Sequence, residues 1–191
     1  MWEILLQGGL LAEAEAEPNP AHRAIAELEK MGKLSSVITQ NIDNLHQKSG
    51  NNPDLVHELH GNMKWIICLG CRRRYPLEDM IKTVSSRNSA PECIHCGGIL
   101  KPDVIFFGEA LPENTLRVAI KESQGCDLFI VIGSSLVVYP AASLPLVAKR
   151  YGARIVIINL GPTEQDSLAD VIINQSAGET MTRIMTKLRD L

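Results

Sequence analysis

The chain has 191 residues, 45% of them apolar, and a formal net charge of −3. It is long enough for one substantial domain, or for one domain with a small insert, and apolar enough for a real core. The acidic balance excludes the basic surface that direct nucleic-acid binding needs, and Arg72-Arg73-Arg74 is too short a cluster to change that.

In chain order, "MWEILLQGGLLAEAEAE" reads as an acidic helix. It lacks the basic n-region and small-residue cleavage site of a signal peptide. No apolar run anywhere reaches the roughly 18 residues of a membrane span. A cytoplasmic protein is the expectation. "PNPAHRAIAELEKMG" carries helix punctuation, with Asn19 as cap, Pro20 in the first turn and Gly32 as stop. Val37-Ile38-Thr39 is β-branched and apolar, a buried strand. It runs straight into Gln40, Asn41, Asp43 and Asn44.

Further apolar runs follow at Val104–Phe107, Leu128–Gly133, Arg154–Asn159 and Asp170–Asn174. Helical patterns lie between them at "PENTLRVAIKES" and "PAASLPLVAKRYG", and "GETMTRIMTKLRDL" closes the chain. Continuous apolar strands alternating with helices predict a doubly wound, Rossmann-like α/β fold with a parallel sheet covered on both faces. Ligands in such folds sit at the carboxyl ends of strands. Three of these strands end in small or polar residues: Gln40-Asn41, Gly133-Ser134-Ser135 and Asn159. Any one of them is also an ordinary turn or cap.

"CLGC" at Cys68–Cys71 and "CIHC" at Cys93–Cys96 are separated by 21 residues. Each C-x-x-C turn supplies two thiolates, and four complete a tetrahedral zinc shell with no open position. The expected role is therefore structural. A redox disulfide is the other use of such pairs, but a reducing compartment favours metal. His95 is not needed for the shell, and Cys126 reads as a small buried hydrophobe. A short helix is expected at Leu77–Val84. Residues 63–101 thus form a zinc-binding insert, flanked by 1–62 and 102–191.

The order "ITQNIDNLHQKSG", "HELHGN", paired C-x-x-C, "KPDVIFFGE", "GSSLVVYPAASLP" and "INLG" resembles the sirtuins, the NAD-dependent protein deacylases. The resemblance runs from about Pro18 to the carboxyl end. It implies that Asn41 and Asp43 line a nicotinamide pocket with Ile42, and that Gln40 lies near the nicotinamide ribose. The residues alone do not choose between His57 and His60 as a base; the family register selects His60, and His22 and His46 remain structural. In the family the acyl oxygen of a modified lysine attacks the ribose and expels nicotinamide. The base then activates a ribose hydroxyl, and the acyl group ends on ADP-ribose.

The resemblance places the acylated peptide as a strand between Val104, Phe106, Phe107, Gly108 and Glu109 on one side and Val138 and Tyr139 on the other. Gly133, Ser134, Ser135, Asn159, Leu160, Gly161 and Ala177 match positions for the adenosine half of NAD. The family pattern also begins with a strand, "GAG-I-S" and a "PDFR"-type loop, which this sequence lacks, so the resemblance implies an amino-terminally truncated chain. Without the Gly-rich turn the diphosphate loses its backbone cradle. Two functions follow: an NAD-dependent deacylase, or a non-catalytic, zinc-bearing module that binds peptides or a partner.

Overall fold

The computed structural model describes residues 16–80 and 91–190. The acidic amino-terminal helix expected from sequence lies outside them, as does the later part of the 77–84 helix, of which residues 77–80 are helical. The chain divides into two compact units. One contains Asn41–Asn44 and His60–Leu111; the other contains Pro18–Gln40, Leu45–Leu59 and Pro112–Leu191. The expected zinc insert, 63–101, falls inside the first.

In the second unit, helix α1 (Pro20–Lys30) starts at a reciprocal cap. The Asn19 side chain accepts the N–H groups of Ala21 and His22 at 2.9 and 3.2 Å, and His22 Nδ1 accepts the Asn19 N–H at 3.3 Å. Just past its end, Gly32 is left-handed at φ +68°. Strands β1 (Val37–Thr39) and β2 (Val56–Glu58) are parallel and in register, Val37 opposite Val56. Helix α2 (Leu45–Lys48) lies between them in the chain. Helix α3 (Glu113–Gly125) leads to β6 (Leu128–Ile132), α4 (Leu144–Arg150), β7 (Arg154–Ile158), β8 (Val171–Ile173) and α5 (Ala177–Arg189). Strands β6, β7 and β8 form a parallel three-stranded sheet.

Alternate residues of that sheet serve opposite faces. Ile130, Ile132, Val156, Ile158 and Ile173 pack with Ala21 and Ala24 of α1 and Met181 and Met185 of α5. Val131, Ile155 and Ile157 pack with Ala142, Ala148 and Ala153 on the other side. The central strand β7 is packed on both faces, which is why it reads as an unbroken apolar run rather than an alternating one. The parallel sheet predicted as one body consists, among the described residues, of two pieces, β1–β2 and β6–β7–β8.

The run at 104–107 is not a strand of that sheet. It straddles the end of β5 (Leu100–Val104), which pairs antiparallel with β3 (Gly61–Cys68) in the first unit; β4 (Arg74–Pro76) completes that sheet. Its apolar character reflects a different core. Met63, Ile66, Cys68, Leu77, Met80, Cys93, Leu100 and Val104 form one buried cluster. The β3–β5 ladder is irregular: Gly61 faces Val104, yet Ile66 already faces Pro102. The surplus residues of β3 bulge out, as strands do where a side chain is re-aimed.

Gly61 has no freedom to change. It is left-handed at φ +80°, and a Cβ there would lie 2.0 Å from the Asp103 carbonyl oxygen. Gly50, at φ +102°, has open space around it. Gly61→Ala should therefore cost about 3 kcal/mol or more, against roughly 1–2 kcal/mol for Gly50→Ala, where only backbone strain is added. Urea unfolding of the two variants checks the order. Equal costs would show that the Asp103 backbone yields.

Candidate active site and metal centre

The described metal-ligating cluster is formed by the four expected cysteines. Cys68 and Cys71 flank a knuckle that follows β3, and Cys93 and Cys96 flank the knuckle before β5. Their sulfurs lie within 4.8 Å of one another. Cys68 and Cys96 are 3.5 Å apart, and Cys71 and Cys93 are 3.7 Å apart. Tetrahedral Zn–S bonds of ~2.3 Å put sulfurs about 3.8 Å apart, so this donor set fits zinc. Gly98 keeps the centre open, since a Cβ there would stand 3.0 Å from Cys68 Sγ and 3.2 Å from Cys96 Sγ.

Tyr75 joins this centre without any motif to mark it. Its hydroxyl lies 3.0 Å from Cys93 Sγ, and toward the thiolate form that binds zinc the phenol is the partner with a proton to donate. That bond pulls the Cys93 thiol down to about 6, and the same bond pushes the Tyr75 phenol up to about 12. The two directions agree, because donation to a thiolate favours ionised sulfur and neutral phenol. Only the β3–β4 pairing, with Tyr75 opposite Ile66, brings this side chain over the second knuckle.

In the same unit, the polar loop after β1 is pinned to the start of β3. Met63 N–H donates to the Ile42 carbonyl at 2.9 Å. Asn62, buried in the β3 bulge, donates through Nδ2 to Asn44 Oδ1 at 3.0 Å, while its Oδ1 accepts the Lys64 N–H at 2.8 Å. Asn44 is left-handed at φ 61°, a conformation asparagine tolerates better than most residues. Asn41 Nδ2 donates to Asp43 Oδ2 at 3.3 Å. The half-buried His60 belongs to this unit too, and its carbonyl accepts the Ile105 N–H at 2.9 Å. His57 does not; it sits on β2 opposite Ile38 in the other unit. Burial pushes the His57 imidazole below its ordinary value, with Glu122 opposing.

The second unit holds a groove of about 830 Å³ at the carboxyl ends of β6 and β7. Gly133, Asn159, Leu160 and Ala177 line it, four of the seven adenosine-side positions expected. Ser134, Ser135 and Gly161 lie beside it in the loops. Ser134 Oγ accepts the Leu136 N–H at 3.3 Å, and the Gly161 carbonyl accepts from Asn159 Nδ2 at 2.8 Å. Asn19, Pro20, Gln175, Ser176 and Gly178 complete one wall and were not expected. They come from the starts of α1 and α5, which only folding brings together. Gln165 also escaped notice; its Nε2 donates to the Ala142 carbonyl at 2.5 Å and so braces the strand-end loops. Gln40 directly follows β1 and is half-buried. Of the expected substrate positions, Val104 is buried, Phe106 packs on the metal-unit core, and Phe107, Gly108, Glu109, Val138 and Tyr139 are exposed.

A model of the Sir2 family matches residues 4–140. The chain is 44% identical over 191 residues to NAD-dependent protein deacetylase 1 of Pyrobaculum aerophilum, covering 100% of this chain and 73% of the relative. It is 49% identical over 191 residues to NAD-dependent protein deacylase 2 of Archaeoglobus fulgidus, covering 100% and 74%. A solved structure of Sir2 with a p53 peptide and NAD+ superposes with a TM-score of 0.92 at 42% identity, over 99% of this chain and 78% of that one. Sir2 bound to an acetylated peptide gives 0.92 and 42%, over 97% and 76%.

Two outcomes are expected from these local environments. Tyr75→Phe keeps the ring but removes the hydrogen bond, so zinc affinity in a chelator competition should fall about 10-fold or more; unchanged affinity would show that the hydroxyl has no hold on Cys93. His57 is favoured neutral by the fold, so its stabilisation is complete above the ordinary value of 6.5 and is lost as pH falls through the lowered one. His57→Gln should flatten the decline of the urea midpoint on that acid side. An unaltered slope would assign the decline to other groups.

Proposed function

This chain belongs to the Sir2 family, and from that premise we propose that it is an NAD-dependent protein-lysine deacylase, moving the acyl group of a modified lysine to ADP-ribose with release of nicotinamide. What carries the reading is the chain-long identity with proteins named for that activity. The groove at the ends of β6 and β7 supports it, because parallel α/β sheets bind nucleotides at strand ends. Residues 63–101 serve as the zinc insert, and 1–62 with 102–191 as the NAD-binding domain.

When bound, NAD supplies the ribose carbon that takes the acyl oxygen and the nicotinamide that leaves. Asn41 and Asp43 would hydrogen-bond the nicotinamide carboxamide, with Ile42 lining the same pocket and Gln40 near the ribose. Asn62 keeps that loop in place. His60 would act as the general base that takes the proton of a ribose hydroxyl. Gly133, Asn159, Leu160 and Ala177 hold the adenosine half, and Ser134, Ser135 and Gly161 shape the loops around it. The edges at Val104–Glu109 and at Val138–Tyr139 receive the acylated peptide as an added strand. The four cysteines hold a structural zinc that takes no part in the chemistry. No helix among the described residues is long and apolar enough to cross a membrane, and the reducing cytoplasm suits a site built from four thiolates.

The test follows nicotinamide release and deacetylation with NAD and an acetyl-lysine peptide. His60→Ala should lose about 100-fold or more in acyl transfer while retaining measurable NAD binding, whereas His57→Asn should turn over normally. Near-normal turnover of His60→Ala would remove the base assignment. A zinc-loaded wild-type chain that releases no nicotinamide would overturn the reading itself.

A further inference from the structure

Strand β5 runs out of Val104 into a tight turn. The Phe106 carbonyl accepts the Glu109 N–H at 3.0 Å, and Gly108 is left-handed at φ +89°. This is the pattern of a type II turn, whose third position asks for glycine. One backbone bond in water holds such a turn weakly. Here a second bond closes it from the other side, because the Phe106 N–H donates to Glu109 Oε2 at 2.9 Å.

Lys101, on β5, grips that carboxylate. Its ammonium donates to Glu109 Oε1 at 2.6 Å and also reaches Oε2. The same ammonium stands 4.8 Å from the centre of the Phe106 ring, within the about 6 Å of a cation–π contact. The Lys101 side chain is 12% exposed and that of Glu109 41%, so the ammonium lies against the protein while the carboxylate still meets water. In keeping with this, Lys101 and then the Phe106 N–H hold the Glu109 carboxyl below its ordinary range.

Phe107 stands in the second position of this turn, fully exposed to solvent. The neighbouring Phe106 ring packs on the buried cluster of the unit. A turn closed by two backbone N–H bonds and a half-buried lysine is an expensive way to hold a phenyl ring in water, unless the ring meets an apolar ligand.

We propose that Lys101 is a positioning residue for the acylated substrate: acting through Glu109, it holds the Phe106–Glu109 turn in the shape that presents Phe107 to the apolar length of an acyl-lysine. The assignment rests on the deacylase reading above. Lys101 itself touches no reacting group. Its charge orders the turn, and the turn orders the ring.

The experiment uses the zinc-loaded full chain, Lys101→Met and Lys101→Arg. Met keeps the aliphatic stem without the charge; Arg keeps the charge. One readout is the Kd of a fluorescent acetyl-lysine peptide in the absence of NAD, by anisotropy. The other is the rate of chymotryptic cleavage after Phe107. Lys101→Met should weaken peptide binding about tenfold and speed cleavage by a similar factor, with NAD affinity and zinc content unchanged. Lys101→Arg should restore most of both. A wild-type chain that binds peptide, beside a Lys101→Met chain with the same affinity or the same cleavage rate, would overturn the proposal alone. A wild-type chain that binds no acetyl-lysine peptide would overturn it together with the deacylase reading.

Discussion

Gly61 and Cys68 are the two ends of one strand, and the β3–β5 ladder that holds this strand governs the rest of its unit. At one end the Gly61 backbone lies so close to Asp103 that no side chain fits. That contact sets the His60 carbonyl against the Ile105 N–H. At the other end Cys68 pairs with Leu100, which draws the first cysteine knuckle to the second. Between the ends, the bulge turns Asn62 inward to seize Asn44. A slip of one residue would carry Ile66 and Cys68 out of the buried cluster. It would also separate the sulfurs and release the polar loop.

The metal centre gives this ladder its second anchor. Cys68 and Cys93 belong to the same buried cluster as Ile66, Leu100 and Val104. Zinc binding and core formation are therefore one event, because binding energy at such a site is folding energy. A four-thiolate site carries net negative charge once filled. The Tyr75 hydroxyl offsets part of it at Cys93, which matters most where sulfur is buried and water cannot help.

The other unit follows a different rule. Helices pack on both faces of β6 and β7, so what those faces leave open is the strand ends, where the groove lies. Small and polar residues accumulate there, and the groove opens between them. The Asn159 side chain turns back onto the Gly161 carbonyl and fixes the loop beside the groove. Met181 and Met185 seat α5 against Ile158, and that seating places Ser176, Ala177 and Gly178 in the groove wall.

Local chemistry was legible in the chain itself. Asn19, Pro20 and Gly32 marked a helix because caps act over a few residues. The two C-x-x-C pairs marked a metal because each knuckle is a local turn. The polar ends of the strands at Ile132 and Ile158 marked the rim of a groove because apolar runs end where burial ends. Pairing was not legible. Val104–Phe107 has the composition of a buried parallel strand, yet its strand portion belongs to an antiparallel sheet, since an apolar run records burial and not its neighbours. Asn62, Tyr75 and Gln165 act across 18, 18 and 23 residues respectively. The Lys101–Glu109 clamp needs the turn at Gly108 before the two charges can meet. Such contacts depend on register and on how helices seat, and these are set by the fit of many side chains at once, which no short stretch of sequence encodes alone.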